Sequence, residues 1–196
     1  MRGMMAIAAT LVAVSATAAA EETVRQLGPH EHGHGTLNLA IEGETVQIEL
    51  EVPGADIVGF EYEAKTPEDQ AKIEAAKATL SKPLALFAVP EAAGCKVTAA
   101  KIALAAESEE DHDAHEHEHD HDADAEADAD EAEHAEFHAQ YALSCANVAA
   151  ITTIAFPYFE AFPNAQELDV TLITEKAQKA FEVNRGHALI DIRGMM

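Results

Sequence analysis

The chain has 196 residues and a formal net charge of −24, with 36 acidic residues against 12 lysines and arginines. This length is enough for one domain, or two small ones, with a sizeable core. The strong acidity argues against nucleic acid and against anionic membrane surfaces as partners.

The first 20 residues have the pattern of a secretory signal peptide. Met1 and Arg2 give a positive start, residues 4–14 form an apolar stretch, and three alanines at 18–20 supply the small-residue cleavage pattern. The apolar stretch is well short of the roughly 20 residues that span a membrane. We therefore expect an exported protein that begins at Glu21 and does not insert into the membrane after cleavage.

Three histidines alternate with other residues just before the first predicted strand, at His30, His32 and His34. If this segment is extended, the three imidazoles point to the same side, because side chains alternate along a strand. Two or three imidazoles, joined by a carboxylate or a water, can complete a tetrahedral zinc site. The alternative is an exposed N-terminal tail that binds nothing.

The scaffold that follows is predicted to be rich in strands. Alternating apolar residues over 36–52 predict a β-hairpin with a turn at Gly43 and one buried face. Thr66 and Pro67 then open a helix as its N-cap and first residue. Further strands are predicted over 95–104, 137–145, 168–173, 180–183 and 188–192, whereas 148–162 is ambiguous. These elements predict an α+β fold with a mainly antiparallel sheet, a few helices and a long disordered loop rich in His, Asp and Glu.

That loop contains the most informative segment of the chain, in which histidines alternate with carboxylates. The histidines are His112, His115, His117, His119 and His121. Residues 107–136 hold 16 acidic residues and no lysine or arginine. Imidazole nitrogens and carboxylate oxygens are ligands that Zn²⁺ accepts. A solvated linker needs only Asp and Glu, so the histidines favour metal binding, whereas the Asp/Ala part over 122–130 favours a linker.

Two more histidines, His134 and His138, follow the loop. On a helix they could chelate one ion, and on a strand they would share the solvent-facing side, opposite to Phe137 and Tyr141. His187 stands alone and is interpreted as structural. The predicted metal ligands are therefore His30, His32, His34, His112, His115, His117, His119, His121, His134 and His138.

The two cysteines, Cys95 and Cys145, lie on either side of the loop. Exported proteins meet an oxidising compartment, which favours a disulfide. Closing a loop of about 50 residues is worth roughly 4 kcal/mol in the chain-entropy model. Thiolate metal ligands are the alternative, although neither cysteine lies in a Cys-x-x-Cys motif.

Several motifs occur in order along nearly all of the mature chain. They are His30–Leu39, Ile57–Glu61, Ala93–Cys95, the His/Asp/Glu insertion, Ser144–Cys145, Phe162–Pro163, Leu172–Thr174 and Gln178–Ala180. Together they resemble the ZrgA-like family of periplasmic zinc-binding proteins. The resemblance implies a role in zinc uptake in the periplasm of a Gram-negative bacterium, after export through the Sec pathway. The expected organisation is a signal peptide (1–20), the N-terminal half of a zinc-binding domain (21–106), a metal-binding loop (107–136) and the C-terminal half (137–196).

The predicted function is capture of Zn²⁺ through the His/Asp/Glu-rich segments and its delivery to a transporter. The expected partners are zinc ions and a periplasmic component of an ABC-type zinc importer. Buffering or detoxification of zinc, copper or nickel is an open alternative, because Cu²⁺ and Ni²⁺ accept the same ligands. A second open alternative is a stress or adhesion module whose acidic loop serves only to solvate it. No enzyme activity is expected, because the His-Glu-x-x-His matches at 115–119 and 117–121 lack the amphipathic helix of a metallohydrolase.

Overall fold

The computed structural model of the chain describes residues 32–107 and 134–196. The predicted signal peptide, His30 and the histidines from His112 to His121 lie outside the described residues. Among the residues that are described, no helix is long and apolar enough to cross a lipid bilayer.

The first two strands form the predicted hairpin. Strands β1 (His34–Glu42) and β2 (Thr45–Pro53) pair antiparallel. The turn between them contains Gly43 with a φ of 55°. Alternate side chains of both strands are buried, because a strand shows its side chains to opposite faces in turn. The buried ones are Leu37, Leu39, Ile41, Val46, Ile48, Leu50 and Val52.

Within residues 32–107 and 134–196 the helices are few, as predicted. The longest, α2, begins where the sequence indicated, because the Thr66 hydroxyl accepts a hydrogen bond from the Asp69 N–H at 3.1 Å and proline occupies the first helical position. The helices are α1 (Gly54–Val58), α2 (Pro67–Leu80), α3 (Pro83–Leu86) and α4 (Tyr158–Ala161), with 3₁₀ turns at Glu91–Ala93 and Val148–Ala150.

Six strands form one large sheet, in the order β3-β4-β2-β1-β6-β7. The added strands are β3 (Cys95–Glu107), β4 (His134–Cys145), β6 (Glu167–Thr174) and β7 (Gln178–Asn184). All neighbours are antiparallel except β1 and β6, which run parallel. A small second sheet pairs β5 (Thr153–Ala155) with β8 (Leu189–Asp191). The predicted α+β class with a mainly antiparallel sheet is confirmed.

The core lies on one face of the large sheet, under the helices and the small sheet. Phe87 connects the two layers, because its ring contacts Tyr141 of β4 as well as Phe156 and Tyr158. The opposite face is open to solvent and carries polar side chains such as Glu49, Lys101 and Gln140. A ligand can therefore approach this open face directly.

Strands β3 and β4 form a long hairpin at the edge of the sheet. Cys95 and Cys145 face each other at one end and form a disulfide, which confirms the predicted pairing. At the other end Glu107 pairs with His134, so the strands extend a few residues into the segment that the sequence assigned to the loop. The register shifts between Val97 and Ala99, and Val97 is 42% exposed.

Candidate metal centre

Three side chains that can bind a metal ion converge beside the first residue of β4. They are His32, Glu61 and His134, and one ligand atom from each lies within 4.8 Å of the other two. His134 Nδ1 is 2.7 Å from Glu61 Oε2, and His32 Nε2 is 3.2 Å from the same oxygen. The three residues come from the turn before β1, the segment after α1 and the start of β4, so only the folded chain brings them together.

Glu61 is placed by a close backbone approach between the segment after α1 and β4. The Ala135 N–H donates a hydrogen bond to the Glu61 carbonyl oxygen at 3.1 Å. A Cβ atom at Gly54 would lie 2.7 Å from the carbonyl oxygens of both Ala135 and Phe60, so the approach requires glycine. Gly59, with a φ of 86°, ends α1 and turns the chain towards this position.

His32 is placed by a turn at Gly33, whose φ is 91°. The Gly33 N–H donates to Asp56 Oδ1 at 2.7 Å, and the Gly33 carbonyl accepts from the N–H groups of Gln166 and Glu167. Because of this turn the segment is not extended at His32. His34 instead lies with its Nδ1 3.5 Å from Glu167 Oε1 of β6. The prediction that His32 and His34 point to the same side assumed an extended segment, and this segment is not extended.

His134 and His138 both lie on the open face of β4, opposite to buried Phe137 and Tyr141, as expected for a strand. Only His134 belongs to the cluster with Glu61. His138 has its Nε2 3.1 Å from Glu136 Oε2. His187 is exposed in the turn after β7, where its backbone N–H donates to Asn184.

The cluster combines one nearly buried carboxylate with two accessible imidazoles. The side chain of Glu61 is 12% exposed, whereas those of His32 and His134 are 65% and 58% exposed. Burial raises the pKa of Glu61, but hydrogen bonds with His134 and His32 outweigh it and hold the pKa below its ordinary value. At neutral pH Glu61 is therefore an ionised ligand.

Asp56 lies next to this cluster and is almost completely buried. Burial raises its pKa above the ordinary value, although the Gly33 hydrogen bond and the nearby His32 oppose the shift. Its Oδ2 is buried and accepts no hydrogen bond from any residue that the structure describes. One oxygen of Asp56 thus positions the backbone of Gly33, and the other is an unused hydrogen-bond acceptor.

The geometry of the cluster fits a tetrahedral zinc ion. Ligand atoms about 2.0–2.1 Å from such an ion lie roughly 3.3 Å from each other. The distances of 2.7 Å and 3.2 Å from Glu61 Oε2 are close to this value. Glu61 Oε1 is also buried and lies 3.2 Å from His32 Nε2, although it makes no hydrogen bond within the described part of the chain. Two imidazoles and a carboxylate fill three of four positions and leave one open for exchange.

Glu61 and Asp56 are the two residues of this region that were not predicted from the sequence. Both lie in or beside the Ile57–Glu61 motif, and the only signal was a pair of carboxylates flanking an otherwise apolar stretch. Nothing in the sequence around Glu61 distinguishes it as a metal ligand among the 36 acidic residues of the chain. Its role becomes visible only when β4 brings His134 against it.

Comparison with known proteins identifies the family of the chain. A search of curated proteins found no match. A family model described as "ZrgA family zinc uptake protein" matches residues 29–192, a range that includes His32, Glu61, His134 and both cysteines. The chain belongs to the ZrgA family of zinc uptake proteins.

Proposed function

We propose that this protein binds Zn²⁺ in the periplasm through His32, Glu61 and His134 and supports zinc uptake by passing the ion to a transporter. The observation that carries the proposal is the convergence of two imidazoles and one carboxylate within 4.8 Å, from three separate parts of the chain. Membership of a zinc uptake family supports zinc as the ion that is carried.

The exposure of the cluster suits a protein that must release its ion. Both imidazoles are more than half exposed, so an incoming ion reaches them without any rearrangement of the core. Three protein ligands leave one position on the ion. A ligand of the receiving protein can bind there before the three ligands of this protein dissociate. A closed site with four protein ligands would hold zinc more firmly and exchange it more slowly.

The His/acid-rich segment 107–136 is proposed to collect ions for this cluster. Its sites should be individually weak, because ordering a chain segment around an ion costs conformational free energy. The segment joins the scaffold at Glu107 and His134, and His134 is itself a cluster ligand. Its ligands would be His112, His115, His117, His119 and His121, with His30, His34 and His138 as further contributors. The proposed recipient is a periplasmic component of an ABC-type importer.

Competitive titration with a zinc chelator tests the cluster directly. We expect the tightest zinc to disappear when His32 and His134 are both replaced by glutamine, or when Glu61→Gln removes the carboxylate. Replacing the five histidines of the segment 107–136 by glutamine should lower the number of bound ions but retain the tightest one. His187→Gln and Glu63→Gln are matched controls, since both residues are exposed and outside the cluster.

Two results would overturn the proposal. One is unchanged tight binding in the variant that lacks both His32 and His134, because the tightest site would then lie elsewhere. The other is a protein that takes up copper or nickel but no zinc in the same titration. That second result would leave the site in place and change the identity of its ion.

A further inference from the structure

We propose that Arg185 is a positioning residue for the zinc site, although it is not one of the three proposed ligands. It lies in the turn after β7 and holds the connecting segment 162–167, which leads from α4 into β6. This segment in turn holds the backbone beside two of the three ligands. The inference rests on the proposed function, because it concerns the affinity of that cluster for zinc.

The guanidinium group of Arg185 binds three backbone carbonyl oxygens of the connecting segment. Its Nη2 donates to the oxygens of Phe162 at 2.8 Å, Pro163 at 2.6 Å and Ala165 at 2.8 Å. These residues belong to neither a helix nor a strand, so their carbonyls depend on donors from elsewhere in the fold. One side chain therefore holds the backbone of the whole turn between α4 and β6.

The connecting segment holds the turn that presents His32. The N–H groups of Gln166 and Glu167 donate to the Gly33 carbonyl at 2.9 Å and 2.8 Å. A Cβ atom at Gly33 would lie only 2.9 Å from Gln166 Cγ, so the turn lies directly against this side chain. Because Gly33 immediately follows His32, a shift of the segment would move the imidazole.

The same segment holds the end of α1, which leads into Glu61. The side-chain amide of Asn164 donates from Nδ2 to the Ala55 carbonyl at 3.0 Å. That carbonyl also accepts the Gly59 N–H at 3.1 Å, which is the bond that ends α1 before the chain turns towards Glu61. Two of the three proposed ligands are therefore positioned against one short segment.

Arginine suits this role because of its chemistry. Its guanidinium is planar, always charged and carries five N–H donors, and hydrogen bonds from a charged donor are roughly twice as strong as neutral ones. Buried Phe162 and Ala165 fix the connecting segment to the core at two points, and the bond to the Pro163 carbonyl fixes the backbone between them. We therefore expect the loss of Arg185 to loosen this segment without unfolding the chain.

Titration of the full mature chain with zinc chloride against a competing chelator tests the proposal. Arg185→Met keeps the length of the side chain and removes all of its donors. We expect it to lower the affinity of the tightest zinc site by about tenfold, the lower end of the roughly 10–100-fold loss seen when groups that orient metal ligands are removed. Arg185→Lys keeps a charged donor and should lose less. Arg193→Met is the matched control, because it removes an exposed arginine that pairs with Asp191.

Asn164→Ala tests the link to α1 separately. Asn164 is exposed, so its replacement should leave the fold intact and weaken zinc binding by less than Arg185→Met does. Both residues act through the same segment, so the double variant Arg185→Met/Asn164→Ala should lose less affinity than the product of the two single losses. Urea unfolding of each variant shows how far stability changes at the same time.

The absorption spectrum of Co²⁺ bound in place of zinc separates positioning from a general loss of stability, because it depends on the geometry of the ligands around the ion. Cobalt chloride is added to chains in which the five histidines of segment 107–136 are glutamine, so that the spectrum reports on the cluster. We expect a changed spectrum in Arg185→Met. The variant Cys95→Ala/Cys145→Ala, which removes a bridge at the far end of β4, should keep the parent spectrum.

The proposal is overturned if Arg185→Met keeps both the zinc affinity and the cobalt spectrum of the parent. It is also overturned if the variant without the disulfide loses as much zinc affinity, because lowered stability alone would then explain the effect. If Arg185→Met does not fold, Arg185→Lys and Asn164→Ala decide: parent affinity in both overturns the proposal, and a loss in either supports it.

The proposed function is judged separately from the variant His32→Gln/His134→Gln. Unchanged tight binding in that variant refutes the cluster itself and, with it, the role of Arg185. Zinc binding that requires both histidines but not Arg185 refutes only this inference. The two failures are therefore distinguishable.

Discussion

The carboxylate of Asp56 holds the backbone of Gly33, because its Oδ1 accepts a 2.7 Å hydrogen bond from the Gly33 N–H. Gly33 directly follows His32, so this bond fixes the turn that presents the imidazole to Glu61. The position of one proposed ligand thus depends on a buried side chain 23 residues away from the turn. The candidate metal site therefore depends on polar residues beyond its three ligands.

Asp56→Ala is expected to destabilise the fold and to weaken zinc binding together. Losing the acceptor leaves the Gly33 N–H unsatisfied in a buried place, which costs about 1–3 kcal/mol. Asp56→Asn keeps an acceptor oxygen and should lose less of both. Urea unfolding and chelator competition measure the two quantities. An Asp56→Ala variant with the stability and zinc affinity of the parent would contradict this role.

Gly54→Ala is expected to disturb the candidate metal site by pushing apart the backbone segments that position Glu61. The added Cβ would meet the carbonyl oxygens of Ala135 and Phe60 at 2.7 Å, and both are backbone atoms that cannot rotate away. Overpacking of this kind costs about 1–3 kcal/mol and should move Glu61 relative to His134. Gly186→Ala is the control, since its nearest neighbour is a side-chain oxygen at 3.4 Å. Equal melting temperatures for the two variants would show that the close approach is not tight.

Zinc affinity should fall steeply between pH 7.5 and 5.5. Imidazole binds metal in its neutral form and protonates around pH 6.5, so two imidazole ligands predict a loss of about 100-fold over this range. The lowered pKa of Glu61 keeps its carboxylate ionised throughout. Without metal, Glu61 stabilises the fold above its ordinary pKa of 4.5, and this contribution is lost as the pH falls through its lower folded-state pKa. An affinity that is flat across the range would rule out imidazole ligands.

Removing the disulfide should affect stability but not zinc. Cys95 and Cys145 are 50 residues apart, and opening a loop of that size costs about 2–4 kcal/mol of unfolding free energy. The bridge lies at the far end of β4 from His134, roughly 35 Å along the strand. The double variant Cys95→Ala/Cys145→Ala should unfold at lower urea and bind zinc as before. A loss of zinc affinity in a folded sample would show that the bridge also shapes the site.

Much of the fold could be predicted because it depends on local periodicity. The alternation over 36–52 gave the hairpin its buried face, and Thr66 with Pro67 gave the start of α2. The parallel pairing of β1 with β6 could not be predicted, because it joins Leu37 to Val170 across most of the chain. The register shift between Val97 and Ala99 on the edge strand, beside which Val97 is exposed, was not predicted either.

The candidate site was only partly predictable for a similar reason. His32 was predicted to bind metal because it alternates with His30 and His34, and His134 because it lies four residues from His138. Their common partner, Glu61, depends on the glycine at position 54 and on the register of β4. Neither dependence shows in the spacing of residues. The grouping of His32 with His34 assumed an extended segment, whereas Gly33 turns the chain between them.

The pairing of Glu107 with His134 makes the insertion between them an interchangeable part of the protein. The two attachment points lie side by side in adjacent strands, so a connecting segment of almost any length can close the gap, and each doubling of its length adds only about 0.6 kcal/mol of closure entropy. Histidines can therefore be added to or removed from this segment in evolution without changing where its two ends attach to the sheet. The number of metal ligands in the segment and the fold of the scaffold can therefore change at different rates in evolution.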